Sequence, residues 1–140
     1  MPYCTQNDLL NQLTQAELVQ LTDDAGSGNV DTAKVDAAIA AASATIDAYA
    51  GARYTLPLQA SEKVKQLCVD LAIYELEKRR RRLREATASA RDAALAFLRD
   101  LAAGRAVLDQ PPGAQPQTSE ADVKKTAQER IFSDEKLAGF

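Results

Sequence analysis

The chain has 140 residues, of which 46% are hydrophobic and 26% charged, so we expect one soluble globular domain rather than two domains or a wholly disordered chain. Alanine is abundant, with 27 residues, whereas histidine is absent, which excludes Ser-His-Asp and Cys-His catalytic sites and histidine-ligated metal sites. The net charge of −3 gives the whole molecule no general attraction to nucleic acid or an anionic membrane. Any such contact therefore needs a local patch of positive charge.

Two short helices are predicted near the N-terminus. Thr5 and the acidic Asp8 are suited to the cap and first turn of one helix, and Thr14 with Glu17 has the spacing of a capping box for the next. Turn-forming residues fill positions 22–29, where no periodic apolar residue occurs. A loop is therefore expected after the second helix.

This loop has a superficial likeness to a calcium-binding EF-hand. Alignment puts Asp23 first and Asp31 ninth, but Ala25 and Lys34 stand where further acidic ligands are required. We therefore expect an ordinary solvated loop, in which Asp31 or Thr32 caps the following helix.

Three longer helices follow. Apolar residues at spacings of three and four predict an amphipathic helix over about 32–53 and a central helix from Ser61 to about Leu83. The pattern resumes after Thr87 and stops at Gly104, a residue that commonly ends helices. The predicted fold class is all-α, a helical bundle of about four or five helices with an extended C-terminal arm.

Composition divides the chain into a helical body at 1–108, a linker rich in proline and glutamine at 109–118, and a C-terminal docking arm at 119–140. The arm holds two of the three phenylalanines but has too few apolar residues to fold alone. It either folds back onto its own body or, as we expect, docks on another chain. The side chains expected to dock are those of Ile131, Phe132, Leu137 and Phe140.

Charge is unevenly distributed along the chain. Residues 1–60 have a net charge of −5 and residues 61–108 a net charge of +4. In a self-associating protein such polarity can set a head-to-tail register between subunits.

Much of the positive charge lies in an arginine run at the end of the central helix. The run consists of Arg79, Arg80, Arg81, Arg82 and Arg84. These side chains either pair with acids such as Glu75, Glu77 and Glu85, face another subunit, or contact phosphate. No aromatic residue is interleaved with them, so a stacking platform for single-stranded nucleic acid is excluded.

No motif indicates catalysis, a metal or a cofactor, so we expect a protein that is not an enzyme. Cys4 and Cys68 lie 64 positions apart without a CxxC motif, and we expect buried reduced thiols. Asp70 with Glu75 or Glu77 is conceivable as a carboxylate pair, but structural roles are favoured. The polar N-terminus and the lack of a long apolar run predict neither a signal peptide nor a transmembrane helix, so folding in the cytoplasm is expected.

The order of several short motifs resembles a family of short proteins from Mu-like phages and prophages, located among the virion morphogenesis genes. The matching segments are Tyr3-Cys4-Thr5 with Asp8-Leu9-Leu10, Leu21-Thr22-Asp23-Asp24, Ile46-Asp47-Ala48-Tyr49, Arg53-Tyr54, Leu56-Pro57-Leu58, Val69-Asp70-Leu71-Ala72-Ile73-Tyr74, Ala103-Gly104-Arg105, Phe132-Ser133-Asp134 and Lys136-Leu137-Ala138-Gly139-Phe140. The resemblance extends over nearly the whole chain, and the linker does not contribute to it.

The resemblance implies a structural virion protein, a head-to-tail connector adaptor that forms a twelve-membered ring beneath the portal and around the DNA channel. The implied partners are the portal protein, further copies of the chain, a downstream stopper or tail-terminator protein, and genomic DNA passing through without sequence-specific binding; no membrane and no cofactor are implied. The expected location is the virion neck, after synthesis and assembly in the host bacterial cytoplasm. Candidate channel-facing acids, which would let DNA slide without sticking, are Asp23, Asp24 and Asp31.

Two other functions stay open at this point. A head-completion stopper or tail terminator is one, although such proteins usually have β-barrel cores and this sequence has almost no alternating strand pattern. The other is a small helical regulator that binds DNA through residues 78–84.

Overall fold

The computed structural model describes residues 2–110, which form five α-helices and contain no β-strand. The helices are α1 (Gln6–Leu10), α2 (Gln15–Thr22), α3 (Thr32–Ala50), α4 (Glu62–Arg79) and α5 (Glu85–Ala103). The prediction of an all-α bundle of four or five helices is confirmed. The docking residues Ile131, Phe132, Leu137 and Phe140, and all of the predicted linker beyond residue 110, lie outside the described residues.

The predicted helix starts agree with the structure because polar side chains satisfy the free backbone N–H groups there. Thr5 with Asp8 and Thr14 with Glu17 each form a reciprocal capping box, and the Thr14 N–H donates to the Glu17 carboxylate at 2.8 Å. Asp31, one of the two predicted caps, begins α3 by accepting from two backbone N–H groups.

The bundle is organised around α4, as its apolar pattern predicts. Its buried side chains lie on most sides of the helix: Val64, Leu67, Cys68, Val69, Leu71, Ala72, Ile73, Leu76 and Glu77. The alanine-rich α3 makes the most extensive contact with α4, α5 packs against both, and α1 and α2 pack on α4. Beyond α5 the chain stays attached at least to Leu108, whose N–H donates to the Tyr54 hydroxyl at 2.9 Å.

Three predicted helix boundaries were wrong. The helix predicted over 32–53 ends at Ala50, and residues 51–53 form a turn in which the Arg53 N–H donates to the Ala50 carbonyl three residues earlier. The central helix ends at Arg79 rather than near Leu83. The fifth helix begins at Glu85, two residues before Thr87.

The early end of α4 has a specific cause in the backbone at Arg81, which has a left-handed φ of 54°. The Arg82 N–H donates to the Glu77 carbonyl and the Arg81 N–H to the Lys78 carbonyl, each at 3.0 Å, which is the hydrogen-bond pattern of a Schellman motif. The end of α5 has the same pattern around Gly104, with a φ of 80°. Gly104 made the end of α5 predictable from the sequence. The end of α4 was not predictable, because an arginine, Arg81, occupies the position where glycine is usual.

No helix within residues 2–110 combines the length and the apolar character needed to cross a membrane.

Replacing Arg81 by glycine is expected to raise the free energy of unfolding by about 0.5–1 kcal/mol, because glycine adopts the left-handed conformation without steric cost. Urea denaturation of the two proteins measures this difference. Arg82→Gly is the matched control. Its backbone has no positive φ, so the added freedom of the unfolded chain should lower stability by up to about 1 kcal/mol. Equal destabilisation by both substitutions would contradict the assigned motif.

Candidate interaction surface at the end of α4

The α4–α5 turn, residues 80–84, carries most of the arginine run. Because α4 ends at Arg79 and the Schellman motif reverses the chain, the five arginines do not follow one another around a helix. Their side chains point in different directions. Three of the five are held by contacts with acidic residues, in two separate groups.

The first group surrounds Glu77, a carboxylate that is only 1% exposed on α4. The Nε and a terminal nitrogen of Arg84 lie 2.7 Å from its Oε1, and the Arg84 backbone N–H donates to its Oε2 at 3.1 Å. The same guanidinium reaches the Glu17 carboxylate of α2 at 3.3 Å. Glu77 raises the pKa of Arg84 through this hydrogen bond. The predicted pairing of the run with Glu77 is thus confirmed for Arg84.

Glu77 also does part of the capping at the start of α5. Arg84 occupies the N-cap position, but its own side chain makes no capping hydrogen bond. The buried carboxylate instead binds the Arg84 N–H and places negative charge beside the positive end of the helix dipole. Through Arg84, which also reaches Glu17, this ion pair links α4 and α5 to α2.

The second group surrounds Asp24, in the loop between α2 and α3. Arg79 binds its two oxygens with two guanidinium nitrogens, at 2.8 and 3.1 Å, and Arg80 and Lys34 approach to 3.0 and 2.8 Å. Arg79 and Lys34, in that order, hold the pKa of the Asp24 carboxyl well below its ordinary value. Asp24 is the point at which the acidic first half and the basic end of α4 meet.

Backbone contacts strengthen this attachment. A nitrogen of Arg79 donates to the Leu21 carbonyl at 2.6 Å, and Arg80 donates to the carbonyls of Gln20 and Asp23 at 3.0 and 3.2 Å. These carbonyls lie at and just beyond the C-terminal end of α2, where they lack partners within the helix and cations are favoured. The two arginines therefore act as a C-terminal cap for α2.

The other two candidate channel acids also have partners within the chain. The Asp23 carboxylate accepts from the N–H groups of Ser27 and Gly28, at 3.0 and 2.7 Å, which closes the loop and lowers its pKa. Asp31 caps α3 and lies 3.0 Å from the Lys34 ammonium, which lowers its pKa. Within residues 2–110 no acidic or cysteine cluster suited to a metal ion occurs, and the loop residues serve one another instead.

Arg81 and Arg82 remain directed outward. Both are exposed, and neither forms an ion pair with a carboxylate of residues 2–110. The neighbouring Leu83 is also exposed, by 46%, and is one of three large apolar side chains exposed within residues 2–110, with Leu56 and Val107. The turn thus presents two cations and one large apolar side chain side by side.

The carboxylates considered as a pair have separate surroundings. Gln66 donates to Asp70 at 3.0 Å, and burial raises the pKa of that carboxyl. Glu75 lies 4.0 Å from Lys78, whereas Glu77 is bound to Arg84. These contacts are structural.

Sequence reasoning missed two members of the charged network. Lys34 has no motif around it, and its position on the first turn of α3 became informative only once Asp31 was the cap and Asp24 lay opposite. Glu17 was recognised as a capping residue but not as a partner of Arg84. The signal available in the sequence was the position of Glu77 among the apolar residues of α4, which indicates a buried carboxylate that needs a partner.

Comparison with known proteins places this sequence in a family. The sequence model of a family described as "Bacteriophage Mu, Gp36" matches residues 3–126. The chain belongs to the bacteriophage Mu Gp36 family. The match includes all five helices and the α4–α5 turn, and it ends before Ile131, the first of the predicted docking residues.

A relative in this Gp36 family is the Mu-like prophage FluMu protein gp36 of Haemophilus influenzae (strain ATCC 51907 / DSM 11121 / KW20 / Rd), which is 38% identical over 79 residues. The aligned part is 56% of this chain and 56% of that protein, so the chain spans about half the length of the curated relative that it matches. The resemblance to Mu-like phage and prophage proteins is confirmed at the level of the family.

Glu77→Gln should lower the free energy of unfolding by about 2–3 kcal/mol, because an amide nitrogen at this buried position would face the Arg84 donors. Urea denaturation near neutral pH gives the value. Glu75→Gln, on the same helix but more exposed, is the matched control and should change stability by less than about 0.5 kcal/mol. Similar losses of unfolding free energy in the two variants would show that the Glu77–Arg84 pair does not stabilise the fold more than an exposed carboxylate does.

Asp24→Asn is expected to destabilise the protein at neutral pH and to lose this effect in acid. The Asp24 pKa is depressed in the folded state, so its stabilising contribution is complete above the unfolded value of about 3.9 and disappears as the pH falls through the folded pKa. Thermal unfolding of both proteins between pH 7 and pH 2 measures the difference. Asp36→Asn, at an exposed position on α3, should follow the wild type throughout. If the difference in thermal stability between Asp24→Asn and the wild type were the same at pH 2 as at pH 7, the ion pairs assigned to Asp24 would be contradicted.

Proposed function

We propose that this Gp36-family protein is a structural component of the virion, a head-to-tail connector adaptor that forms a ring beneath the portal around the DNA channel and joins head to tail. Family membership supports a phage role. The observation that carries the proposal further is the α4–α5 turn, which displays Arg81, Arg82 and Leu83 on a braced backbone. On this proposal the chain works by contact and is not an enzyme.

The bracing matters because a contact surface that is already ordered loses less entropy on binding. Schellman hydrogen bonds, the Glu77–Arg84 pair and the ion pairs of Asp24 with Arg79 and Arg80 hold the backbone on both sides of Arg81 and Arg82. Arginine is enriched at protein interfaces, and here an apolar neighbour accompanies it. We infer that the turn meets an acidic surface of a neighbouring subunit, an arrangement that suits the head-to-tail contact of two different surfaces in a closed ring.

The C-terminal arm supplies the second contact in this proposal. Residues 119–140 would dock on the portal or a neighbouring subunit through Ile131, Phe132, Leu137 and Phe140. The same proposal includes a ring of twelve copies in the neck, a downstream stopper or tail-terminator protein as a further partner, and DNA passing through the ring. The alternative for the arm, folding back onto its own body, gives a different result in the experiment below.

The hypothesis that the arginine run belongs to a DNA-binding regulator has less support than the connector hypothesis. Arg79, Arg80 and Arg84 are engaged with groups of their own chain, so only Arg81 and Arg82 of the run are directed outward. Binding through about two phosphate contacts would be weak and would have a shallow salt dependence. The helical body likewise differs from the β-barrel expected of a stopper or terminator.

Basic partners within the chain neutralise much of the negative charge that Asp24 and Asp31 would present to DNA. Lys34, Arg79 and Arg80 surround Asp24, and Lys34 also pairs with Asp31. Asp23 stays anionic but binds backbone N–H groups of its loop. A channel-lining role for these three acids stays a prediction, and in that role they would present little free negative charge to DNA.

The arm is tested in the full-length chain by replacing Ile131, Phe132, Leu137 and Phe140 together with alanine. We expect a folded protein that no longer enters phage particles, because the apolar contacts are lost. Incorporation is measured by immunoblotting particles produced by a phage lacking its own copy, and folding by circular dichroism. The control replaces Lys124, Lys125, Glu129 and Lys136 with alanine and should be incorporated normally. Normal incorporation of the apolar variant would overturn the docking proposal, and a clear loss of stability in that variant would indicate an arm that folds back.

A further inference from the structure

The two cysteines of the chain meet inside the bundle. Cys4 and Cys68 are both buried, with 3% and 0% of their surface exposed, and their sulfur atoms are 2.7 Å apart. Burial of both thiols agrees with the sequence-based expectation. Their contact was not predictable from a separation of 64 positions, and both are present as free thiols.

The surrounding contacts hold both sulfurs in place. The Tyr3 N–H donates to the Ser43 hydroxyl at 3.2 Å, and that hydroxyl lies 3.7 Å from the Cys68 sulfur. The Tyr3 hydroxyl donates to Asp47 of α3 and accepts from the Leu58 N–H. The segment that carries Cys4 is therefore anchored on α3 immediately before it reaches α4.

The pair is also close to the surface. Cys4 and Ser43 line an open pocket of about 490 Å³ between the N-terminal segment and α3. Cys68 lies directly behind these two residues. The pocket therefore brings a small oxidant up to Cys4 and Ser43, and it reaches the fully buried Cys68 only past these two residues.

The local chemistry distinguishes the two thiols. Hydrogen bonding from Cys4 lowers the pKa of Cys68, and the same contact with burial raises the pKa of Cys4. The contact therefore favours the thiolate form at Cys68, with the Cys4 sulfur 2.7 Å away in position to act as the resolving thiol.

We propose that Cys4 and Cys68 are an oxidisable pair that forms a reversible intramolecular disulfide, fastening the N-terminal segment to α4. Bonding requires the sulfurs to approach from 2.7 Å to about 2.05 Å. This inference is independent of the connector role.

With hydrogen peroxide as oxidant, the Cys68 thiolate attacks one peroxide oxygen and the O–O bond breaks. Cys68 becomes a sulfenic acid, and the departing hydroxide takes the Cys4 proton to form water. The Cys4 thiolate then attacks the Cys68 sulfur and displaces hydroxide, which leaves as a second water molecule after gaining the proton first released by Cys68. Two thiols and one peroxide give one disulfide and two waters, and an added dithiol reverses the oxidation by exchange.

The cross-link would restrict the unfolded chain over the long segment between the two cysteines. It would also fix one wall of the pocket, because Pro2, Thr5 and Gln6 line it beside Cys4. In the dithiol form this wall is held only by non-covalent contacts. The oxidised and reduced proteins should therefore differ in stability while having the same helices.

The test treats the folded full-length protein with hydrogen peroxide or with dithiothreitol, blocks remaining thiols with N-ethylmaleimide, and maps peptides by mass spectrometry. We expect a monomer in which the Cys4 and Cys68 peptides are joined, with Tm raised by on the order of 10 °C over the reduced form. Dithiothreitol should reverse both changes. The wild-type comparison needs no variant, so it stands even if a cysteine substitution impairs folding.

Cys4→Ser and Cys68→Ser serve as matched controls, and neither should gain stability from peroxide. Two results would overturn the proposal. One is that both thiols of the peroxide-treated wild type remain open to alkylation after denaturation. The other is that oxidation yields only cross-linked dimers or sulfinic acids, without the internal disulfide.

Discussion

The ion pair between the buried Glu77 carboxylate and the half-exposed Arg84 side chain is the interaction on which the arrangement of the bundle's basic end depends. A carboxylate with 1% exposure is stable in its charged form only when its oxygens are paired and hydrogen-bonded. Arg84 supplies its guanidinium to one oxygen and its backbone N–H to the other. Because the donor residue is also the N-cap of α5, this one pair fixes how the chain passes from α4 to α5.

The same end of α4 shows how a polarised sequence uses its charge. The net charges of the two halves suggested complementarity between subunits, yet Asp24 and Glu17 meet the arginines of their own chain. Part of the polarity therefore stabilises the bundle by fastening the α2–α3 loop to α4. What remains for contact with another molecule is narrower, namely Arg81, Arg82 and the exposed Leu83.

Much of the fold was predictable because local signals and tertiary packing agree. Thr14 and Asp31 begin helices as their spacing to later residues indicates, and Gly104 ends one. The end of α4 was not predictable because Arg81 occupies a left-handed position that is usually filled by glycine. Sequence patterns report only on residues close together in the chain. The length of a helix that does not end at a glycine is therefore easily overestimated.

The candidate site was less predictable, since its contacts join distant positions. The attachment of Arg79 to Asp24 spans 55 positions and the contact of Cys4 with Cys68 spans 64. The arginine run drew attention to the right region, but its composition could not distinguish the three side chains used internally from the two directed outward. Only the path of the backbone through the α4–α5 turn separates these groups.

The connector role is tested most directly by electron microscopy of whole phage particles, at a resolution sufficient to recognise α3, α4 and α5. The proposal predicts helical density matching this bundle in a ring of twelve copies between the portal and the tail, with each α4–α5 turn against a neighbouring subunit. Density for the bundle in the capsid shell or at the tail tip, or absence of the protein from mature particles, would contradict it.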